Sequence, residues 1–207
     1  LPLGVASLGE LVDVKLCESD TLDYEQLGDL LGGNSLEGVT FLDARLLGNQ
    51  DASLSRRVNR ARYAVGLPVD ALRALKLDRV EALTERIAGR RGGDGMTVER
   101  RIKGIVKRVK VEDFLTQVEA GAGAQSLREA GIAGDLLPLR FELAITPRGT
   151  ARPYEVLQAL FGEDDLPARM VRETLSFCPE EELGSESRLD PMQIETLRSS
   201  KAVPGQG

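Results

Sequence analysis

The chain has 207 residues, of which 42% are hydrophobic, and a formal net charge of −6 at pH 7. It is long enough to fold into one or two small domains with apolar cores, and its acidic balance excludes a global positive field that recruits nucleic acid or an anionic membrane. The sequence has no histidine and only two cysteines, Cys17 and Cys178. These absences exclude histidine-based catalysis, imidazole metal sites and an iron–sulfur cluster held by this chain. Any catalysis would have to rest on Lys, Arg, Asp, Glu, Tyr or Ser, and no catalytic residue, metal site or cofactor is predicted.

The sequence also predicts where the protein resides. Two cysteines far apart in the chain form no disulfide framework, which is typical of a reducing compartment. The chain contains no run of about 18 apolar residues, and its first residues carry neither a basic segment nor a long apolar one. A cytoplasmic location without a membrane span or a secretory leader is therefore expected.

Residues 1–55 are predicted to form a short α+β unit. The stretch "LPLGVASLGELVDVKL" indicates the end of one strand and then, by the alternation of apolar residues over 12–16, a second strand. Leucines along residues 22–31 predict a helix that ends at the glycine pair after it. The stretch "GVTFLDARLL" at residues 38–47 predicts another strand. This sheet lacks an opening strand and helix, and we expect it to close its core poorly.

Residues 56–175 are predicted to form a second, larger α+β unit. Its first strand, "ARYAVGL", is expected to direct Tyr63, Val65 and Leu67 inward because alternate side chains of a strand share a face. A helix is predicted over residues 78–88, where apolar residues recur on one face and a glycine follows.

The rest of this second unit continues with alternating strands and helices. "MTVERRI" and "GIVKRVKV" predict a hairpin around Gly104, followed by a helical turn over residues 114–118 and a break at "GAGAQS". "LPLRFELAIT" alternates cleanly and predicts a strand that directs Leu139, Phe141, Leu143 and Ile145 inward. A helix over residues 151–161 and a short last strand over residues 168–175 complete the unit.

The final segment, residues 176–207, is rich in Glu, Ser, Pro and Gly and predicts a disordered acidic tail. The repeated strand–helix–strand–strand order before it predicts an α+β fold with two ferredoxin-like units in tandem. The first of these units lacks its opening strand and helix. The predicted divisions of the chain are therefore residues 1–55, 56–175 and 176–207.

The stretch "ITPRGTARPY" joins a predicted strand to a predicted helix and is a candidate anion-binding corner. Gly149 permits a turn with positive φ, Thr150 is expected to cap the helix, and Pro153 fits the first helical turn. A helix start offers free N–H groups and a positive dipole end, and Arg148 and Arg152 add charge beside it. These groups would suit a phosphate or a carboxylate. The alternative is a capped helix with solvated arginines.

The second candidate is the basic stretch from Arg86 to Lys110. It contains nine basic and two acidic residues, a net charge of +7, so the remaining chain carries −13. This asymmetry is consistent with a nucleic-acid-binding face on an acidic protein, whereas the alternative is a solvated strand face that protects a sheet edge from pairing. No aromatic residue interleaves the charges, which argues against base stacking. The candidate residues are Arg100, Arg101, Lys103, Lys107, Arg108 and Lys110.

Several stretches together resemble a bacterial family, the radical-SAM-associated (or radical-SAM-linked) domain of unknown function. In the order of the family they are "LPLGVASLGELVDVKL", "LEGVTFLDARLL", "ARYAVGLP", "RIKGIVKRVKV" and "LPLRFELAITPRGTARPYEVLQALFG", and the resemblance covers residues 1–175. The family begins with a further strand and a basic helix, so the resemblance implies that this chain is truncated at its N-terminus. Residues 111–115 stand where the family has an Asp-Ile-Arg-Pro-like segment, and no role is carried over from that segment.

Members of this family are fused to a radical SAM protein or encoded beside one. The resemblance therefore implies a non-catalytic accessory domain, with the iron–sulfur cluster supplied by the radical SAM partner. Together with the basic residues, it predicts binding of RNA or another anionic substrate. Two other functions stay open: an RNA-processing or RNA-modifying enzyme that uses Lys, Tyr or acidic residues, and a structural interaction module without a ligand.

Overall fold

The structure is a computed structural model that describes residues 5–14, 24–44, 47, 53–91, 94–162 and 166–177. Nearly all of these residues belong to one compact unit, Leu1–Ser176, and Phe177 begins a second unit. The disordered tail predicted from residue 176 onward lies, beyond Phe177, outside the described residues.

The described residues form strands and short helices that alternate along the chain. The strands are β1 (Ala6–Ser7), β2 (Arg60–Pro68), β3 (Thr97–Ile102), β4 (Ile105–Lys110), β5 (Leu115–Ala120), β6 (Leu136–Ala144) and β7 (Arg169–Ser176). The helices are α1 (Tyr24–Gly33), α2 (Leu54–Arg57), α3 (Val69–Ala74), α4 (Val80–Arg90), α5 (Ala124–Glu129) and α6 (Pro153–Phe161).

Two sheets organise these elements. The larger sheet has the strand order β1-β7-β2-β6-β5, in which β1 runs parallel to β7 and the other neighbours are antiparallel. The smaller sheet is the hairpin of β3 and β4. The chain runs from β2 to β5 through α3, α4 and this hairpin, and from β6 to β7 through α6. The fold is therefore a mixed α+β fold.

One face of the larger sheet carries the main core. The predicted inward residues Tyr63, Val65 and Leu67 are all buried there, and the ring of Tyr63 lies 5.4 Å from that of Phe141 in β6. Buried side chains of α4 and α6 complete this cluster, as expected for helices that present one apolar stripe to a sheet. The alternation in β2 and β6 thus predicted the buried face correctly.

The opposite face of the sheet is covered in part by α5. Leu127 of this helix packs with Ala64 of β2 and Val171 of β7 in a smaller apolar cluster. The sequence predicted a chain break at "GAGAQS", and this prediction is wrong where α5 begins at Ala124. The short helix forms because packing on the sheet stabilises a segment whose own helical signal is weak.

Three other sequence predictions are wrong over the described residues. Residues 11–14 and 39–44 take no regular secondary structure, although alternation predicted strands over 12–16 and 38–47. The segment 114–118 is not helical, because β5 pairs with β6 from Leu115 onward. Within the described part of residues 1–55, β1 joins the larger sheet, so two ferredoxin-like units in tandem are not confirmed. The boundary after residue 55 stays a prediction.

Most elements of the second unit were predicted correctly, with ends displaced by about two residues. The hairpin turns at Gly104, the helix predicted over 78–88 is α4, and the helix predicted over 151–161 is α6. The helix predicted over 22–31 is α1. Each of these segments carries a strong periodic pattern of its own.

Candidate anion-binding surface

The corner of residues 145–154 begins with a tight turn at the end of β6. The N–H of Thr146 donates to the carbonyl of Gly149 at 2.9 Å, and the N–H of Gly149 donates to the carbonyl of Thr146 at 2.8 Å. Gly149 has a φ of +119°, which only glycine adopts without strain. The predicted glycine turn is therefore present.

The start of α6 differs from the prediction in one respect. Thr150 does not cap the helix, because its hydroxyl donates to the carbonyl of Ala144 at 2.7 Å. The N-cap residue is Arg152, and its backbone N–H donates to Oε2 of Glu155 at 2.6 Å. Pro153 occupies the first turn, as predicted. The sequence signal for this arrangement is the glutamate three residues after the cap, half of a capping box.

Glu155 is the anion at this helix start. Its carboxylate is 9% exposed and accepts from Nε and Nη2 of Arg100 at 2.6 and 2.5 Å. Nη2 of Arg100 also donates to the carbonyl of Thr150 at 2.9 Å. Burial by itself would raise the pKa of Glu155, but the hydrogen bonds from Arg100 and from the Arg152 N–H outweigh it and lower this pKa. The chain's own carboxylate therefore satisfies the helix dipole and the free N–H group.

The two corner arginines that the sequence singled out point to solvent. Arg148 lies in the turn and Arg152 at the N-cap, and both residues are exposed. The corner thus retains two accessible cations beside a helix start that is already neutralised. Their binding of an external anion stays a prediction.

The hairpin of β3 and β4 has two chemically different faces. Residues paired across the hairpin share a face, so Val98 with Val109 and Arg100 with Lys107 lie on the side of the body, where Val98 is buried. The other face pairs Thr97 with Lys110, Glu99 with Arg108 and Arg101 with Val106. It therefore carries three cations and one acid.

The tip of the hairpin is a two-residue turn. Lys103 and Gly104 have φ values of +49° and +82°, the backbone region that two-residue turns with two positive φ angles use to match the strand twist. Three apolar side chains at this end are exposed: Ile102, Ile105 and Val106. Exposed apolar and cationic side chains thus lie side by side at the end of a hairpin that forms its own sheet.

The structure brings the two predicted sites into one region. Arg100, from the hairpin, donates hydrogen bonds to Thr150 of the corner and to Glu155 directly after it, so it joins the two segments and is turned away from solvent. The remaining hairpin candidates are all exposed, and together they are called the basic hairpin: Arg101, Lys103, Lys107, Arg108 and Lys110.

Sequence reasoning missed a polar network on the sheet face opposite the core. Nη2 of Arg62 lies 3.0 Å from Oε2 of Glu142, and Nε of Arg60 lies 3.5 Å from Oε1 of the same carboxylate. Farther along this face, Arg140 pairs with Glu173 at 2.8 Å. The alternation that directs Tyr63 and Val65 to the core puts residues 60 and 62 on this other face, so the signal was present in the sequence.

Glu173 accepts hydrogen bonds from two different side chains of this network. Its carboxylate also accepts from the hydroxyl of Ser126 at 2.5 Å. Burial favours the neutral acid, but the hydrogen bonds from Arg140 and Ser126 outweigh it and lower the pKa of Glu173. The carboxylate is therefore held in its charged form, and Arg140 is matched by its partner.

These features define a class: a mixed α+β protein with exposed cations on one hairpin and at the neighbouring corner. The described residues contain no cluster of His, Cys, Asp and Glu able to hold a metal ion, and none of their helices has the length and apolar character needed to cross a membrane. Residues 1–147 match the model of the family described as "Uncharacterized protein conserved in bacteria (DUF2344)", and the chain belongs to this family. No curated protein and no solved structure matches the chain.

Proposed function

We propose that the protein is a non-catalytic accessory domain that binds RNA or a similar polyanion through the basic hairpin. The observation that supports this proposal is the exposure of five cations on one hairpin, three of them on the same face as Glu99, in a chain of net charge −6. Cations at regular strand spacing can follow a phosphate backbone, and their binding releases counterions.

The composition of the hairpin favours contact with the backbone over base stacking. Stacking platforms use aromatic side chains, and the hairpin residues 97–110 contain none. The exposed Ile102, Ile105 and Val106 offer apolar contact to sugars and base edges beside the charges. Binding of this kind is strongly dependent on salt and weakly dependent on sequence.

The test replaces three outward cations by glutamine in the variant R101Q/R108Q/K110Q. A matched control, R73Q/R79Q/R128Q, removes the same charge from exposed arginines elsewhere. Binding of a fluorescent single-stranded RNA is measured by anisotropy at several salt concentrations. The hairpin variant should bind at least about tenfold more weakly, roughly 1.4 kcal/mol, and its log–log salt slope should be smaller by about 2.

Two results would count against this role. If the control variant weakens binding as much as the hairpin variant does, attraction depends on net charge alone. If the wild-type protein binds no RNA and no other polyanion at low salt, the cations serve to solvate the hairpin and to protect its two edges from pairing.

A radical SAM protein is the partner that we propose for this domain. The support is the resemblance of five stretches of the chain, which recur in the order of the radical-SAM-associated family. Co-expression with a radical SAM protein encoded beside this gene should give a complex that elutes together in size-exclusion chromatography. A gene without such a neighbour, or a pair that elutes separately, would contradict this partner.

We also propose that β2, β5, β6 and β7 form a single ferredoxin-like unit. Its support is the order β7-β2-β6-β5 with antiparallel neighbours, together with α4 between β2 and β5 and α6 between β6 and β7. This is the arrangement of a split βαβ repeat. An experimental structure with a different strand order would contradict it.

A further inference from the structure

Two arginines on one strand lie close to each other on the sheet face opposite the core. Arg60 and Arg62 are two residues apart in β2, so their side chains leave the same face. Together they are called the arginine pair. They lie where β2 begins and where the neighbouring strand β6 ends, opposite Ala144 and Glu142.

The arginine pair has more donors than the neighbouring side chains satisfy. The two guanidinium groups share one carboxylate, Glu142, whose closest approach to Arg60 is 3.5 Å. Among the described residues, Nη1 of Arg60 and Nε of Arg62 are buried and have no hydrogen-bond partner. The Arg60 side chain is only 7% exposed. A charged group is therefore withdrawn from water with part of its hydrogen-bonding capacity unused.

Such an arrangement is costly unless another group completes it. A buried donor without a partner loses its hydration without compensation, and the loss is greater for a charged group. Glu142 neutralises one of the two charges of the pair, and the carboxylate that also acts on Arg62, Glu173, has Arg140 as its hydrogen-bonded partner. A water molecule would supply acceptors but no charge, whereas an oxyanion supplies both.

Apart from Glu142, the strand neighbours of the arginine pair are either small or exposed to solvent. The residues beside Arg60 on the neighbouring strands are Ala144 and Ser176, both small. On the other side, the Arg62 side chain is 42% exposed and its neighbour Thr174 in β7 is exposed. Because Nη1 of Arg60 and Nε of Arg62 are themselves buried, an anion reaches them from the Arg62 side once that partly exposed side chain turns outward.

We propose that the arginine pair binds an oxyanion of the phosphate class, which accepts from Nη1 of Arg60 and Nε of Arg62. Guanidinium groups suit this ligand because their planar donors match the spacing of phosphate oxygens. The phosphate can be free or part of a nucleic-acid backbone. The site is separate from the basic hairpin and does not depend on the function proposed for it.

The first experiment measures binding of inorganic phosphate by calorimetry at constant ionic strength, with chloride as the reference anion. Wild-type protein should bind phosphate saturably, and R62Q should weaken binding at least tenfold. The matched control is R128Q, which removes the same charge from an exposed arginine of α5, the helix that packs on this sheet face. R62Q is the informative variant because its side chain is partly exposed, and R60K checks the buried member with the charge retained.

A second measurement separates the two sources of phosphate. If a short oligoribonucleotide competes with inorganic phosphate, and R62Q weakens both, the site holds a backbone phosphate; if it does not compete, the ligand is the free ion. The hairpin variant R101Q/R108Q/K110Q should leave phosphate binding unchanged even where RNA binding is lost. Wild-type protein without saturable phosphate binding, or R62Q and R128Q with equal affinity, would overturn the proposal.

Discussion

At the residue scale, Arg100 and Arg101 are neighbours in the sequence but lie on opposite faces of β3. Replacing Arg100 by glutamine leaves the buried Glu155 without its main partner and should lower the free energy of unfolding by about 3 kcal/mol. Replacing the exposed Arg101 should change it by about 0.5 kcal/mol or less. Urea unfolding of both variants measures the difference.

Similar losses in the two variants would mean that the ion pair contributes little to stability. The sequence grouped both arginines in one basic stretch because a charge count does not say where side chains point. The period of two along a strand separates them, but the sequence alone does not reveal that the corner supplies a carboxylate to Arg100. That contact joins residues 55 positions apart.

The carboxylates that pair with Arg100 and Arg140 predict that the fold is sensitive to acid. Burial favours protonation of Glu155 and Glu173, yet hydrogen bonds from Arg100 and Arg140 outweigh it and lower each pKa below the ordinary value of 4.5. The unfolded chain therefore binds these protons at a higher pH than the folded chain does. The stabilisation is present above pH 4.5 and is lost as the pH falls below it, through the lowered folded-state values.

Unfolding by urea between pH 7 and pH 3 tests the direction of this pH dependence. The free energy of unfolding should fall below pH 4.5 in the wild-type protein, and E155Q should show a shallower fall because one of the groups no longer titrates. An E155Q profile parallel to that of the wild type would show that Glu155 is not part of the acid response.

At the element scale, α5 depends on the close approach of Gly123, the residue directly before it, to the sheet. Gly123 has a φ of +95°, and a β-carbon added there would lie 2.8 Å from the β-carbon of Ala64. G123A should lower stability by at least about 2 kcal/mol, because strain at positive φ adds to the clash. Thermal unfolding measures it, at roughly 2–4 °C per kcal/mol for a chain of this size.

Gly131, after α5, is the matched control. Its φ is +69°, and no atom lies within 4 Å of an added β-carbon. G131A should therefore cost only the strain at positive φ, about 1 kcal/mol. Equal losses in the two variants would show that the contact with Ala64 relaxes freely.

The elements that the sequence predicted correctly carry their own periodic signal, whereas those it predicted wrongly are decided by neighbours. Apolar residues alternate along both β2 and β6, and the side chains predicted to face inward are buried except for the partly buried Ile145. β5 was predicted as a helical turn because Phe114, Leu115 and Val118 also fit a helical spacing. Its pairing with β6 determines the outcome, and local sequence carries no information about that register.

At the scale of the whole molecule, charge and apolar exposure are unevenly distributed. Residues 5–14 and 24–44 contain six acidic residues and no basic one, whereas the basic hairpin and the corner concentrate exposed cations. A negative net charge correctly excludes a global positive field, but it does not exclude a local one. Charge close to a groove or hairpin acts within about one Debye length, roughly 8–10 Å at physiological salt.

The acidic segments also expose many of their large apolar side chains, and this predicts low local stability. The exposed residues are Leu11, Val12, Val14, Leu30, Leu31, Leu36, Val39 and Leu42. Residues 11–14 and 40–44 lie outside helices and strands, so local opening there exposes little further apolar area and costs little free energy. Their amides should exchange with solvent orders of magnitude faster than those of β2, which has a paired strand on each side.

Native-state hydrogen exchange measured by mass spectrometry tests this expectation, with β2 and β6 as internal references. Amides that open locally should keep their exchange rates when a low concentration of urea is added, whereas the rates of β2 should rise, because its exchange requires global unfolding. Protection of residues 11–14 or 40–44 comparable to that of β6 would contradict the prediction. If such protection disappears when the protein is diluted, it comes from contact between copies of the chain, since exposed apolar surface of this kind is buried most easily by association.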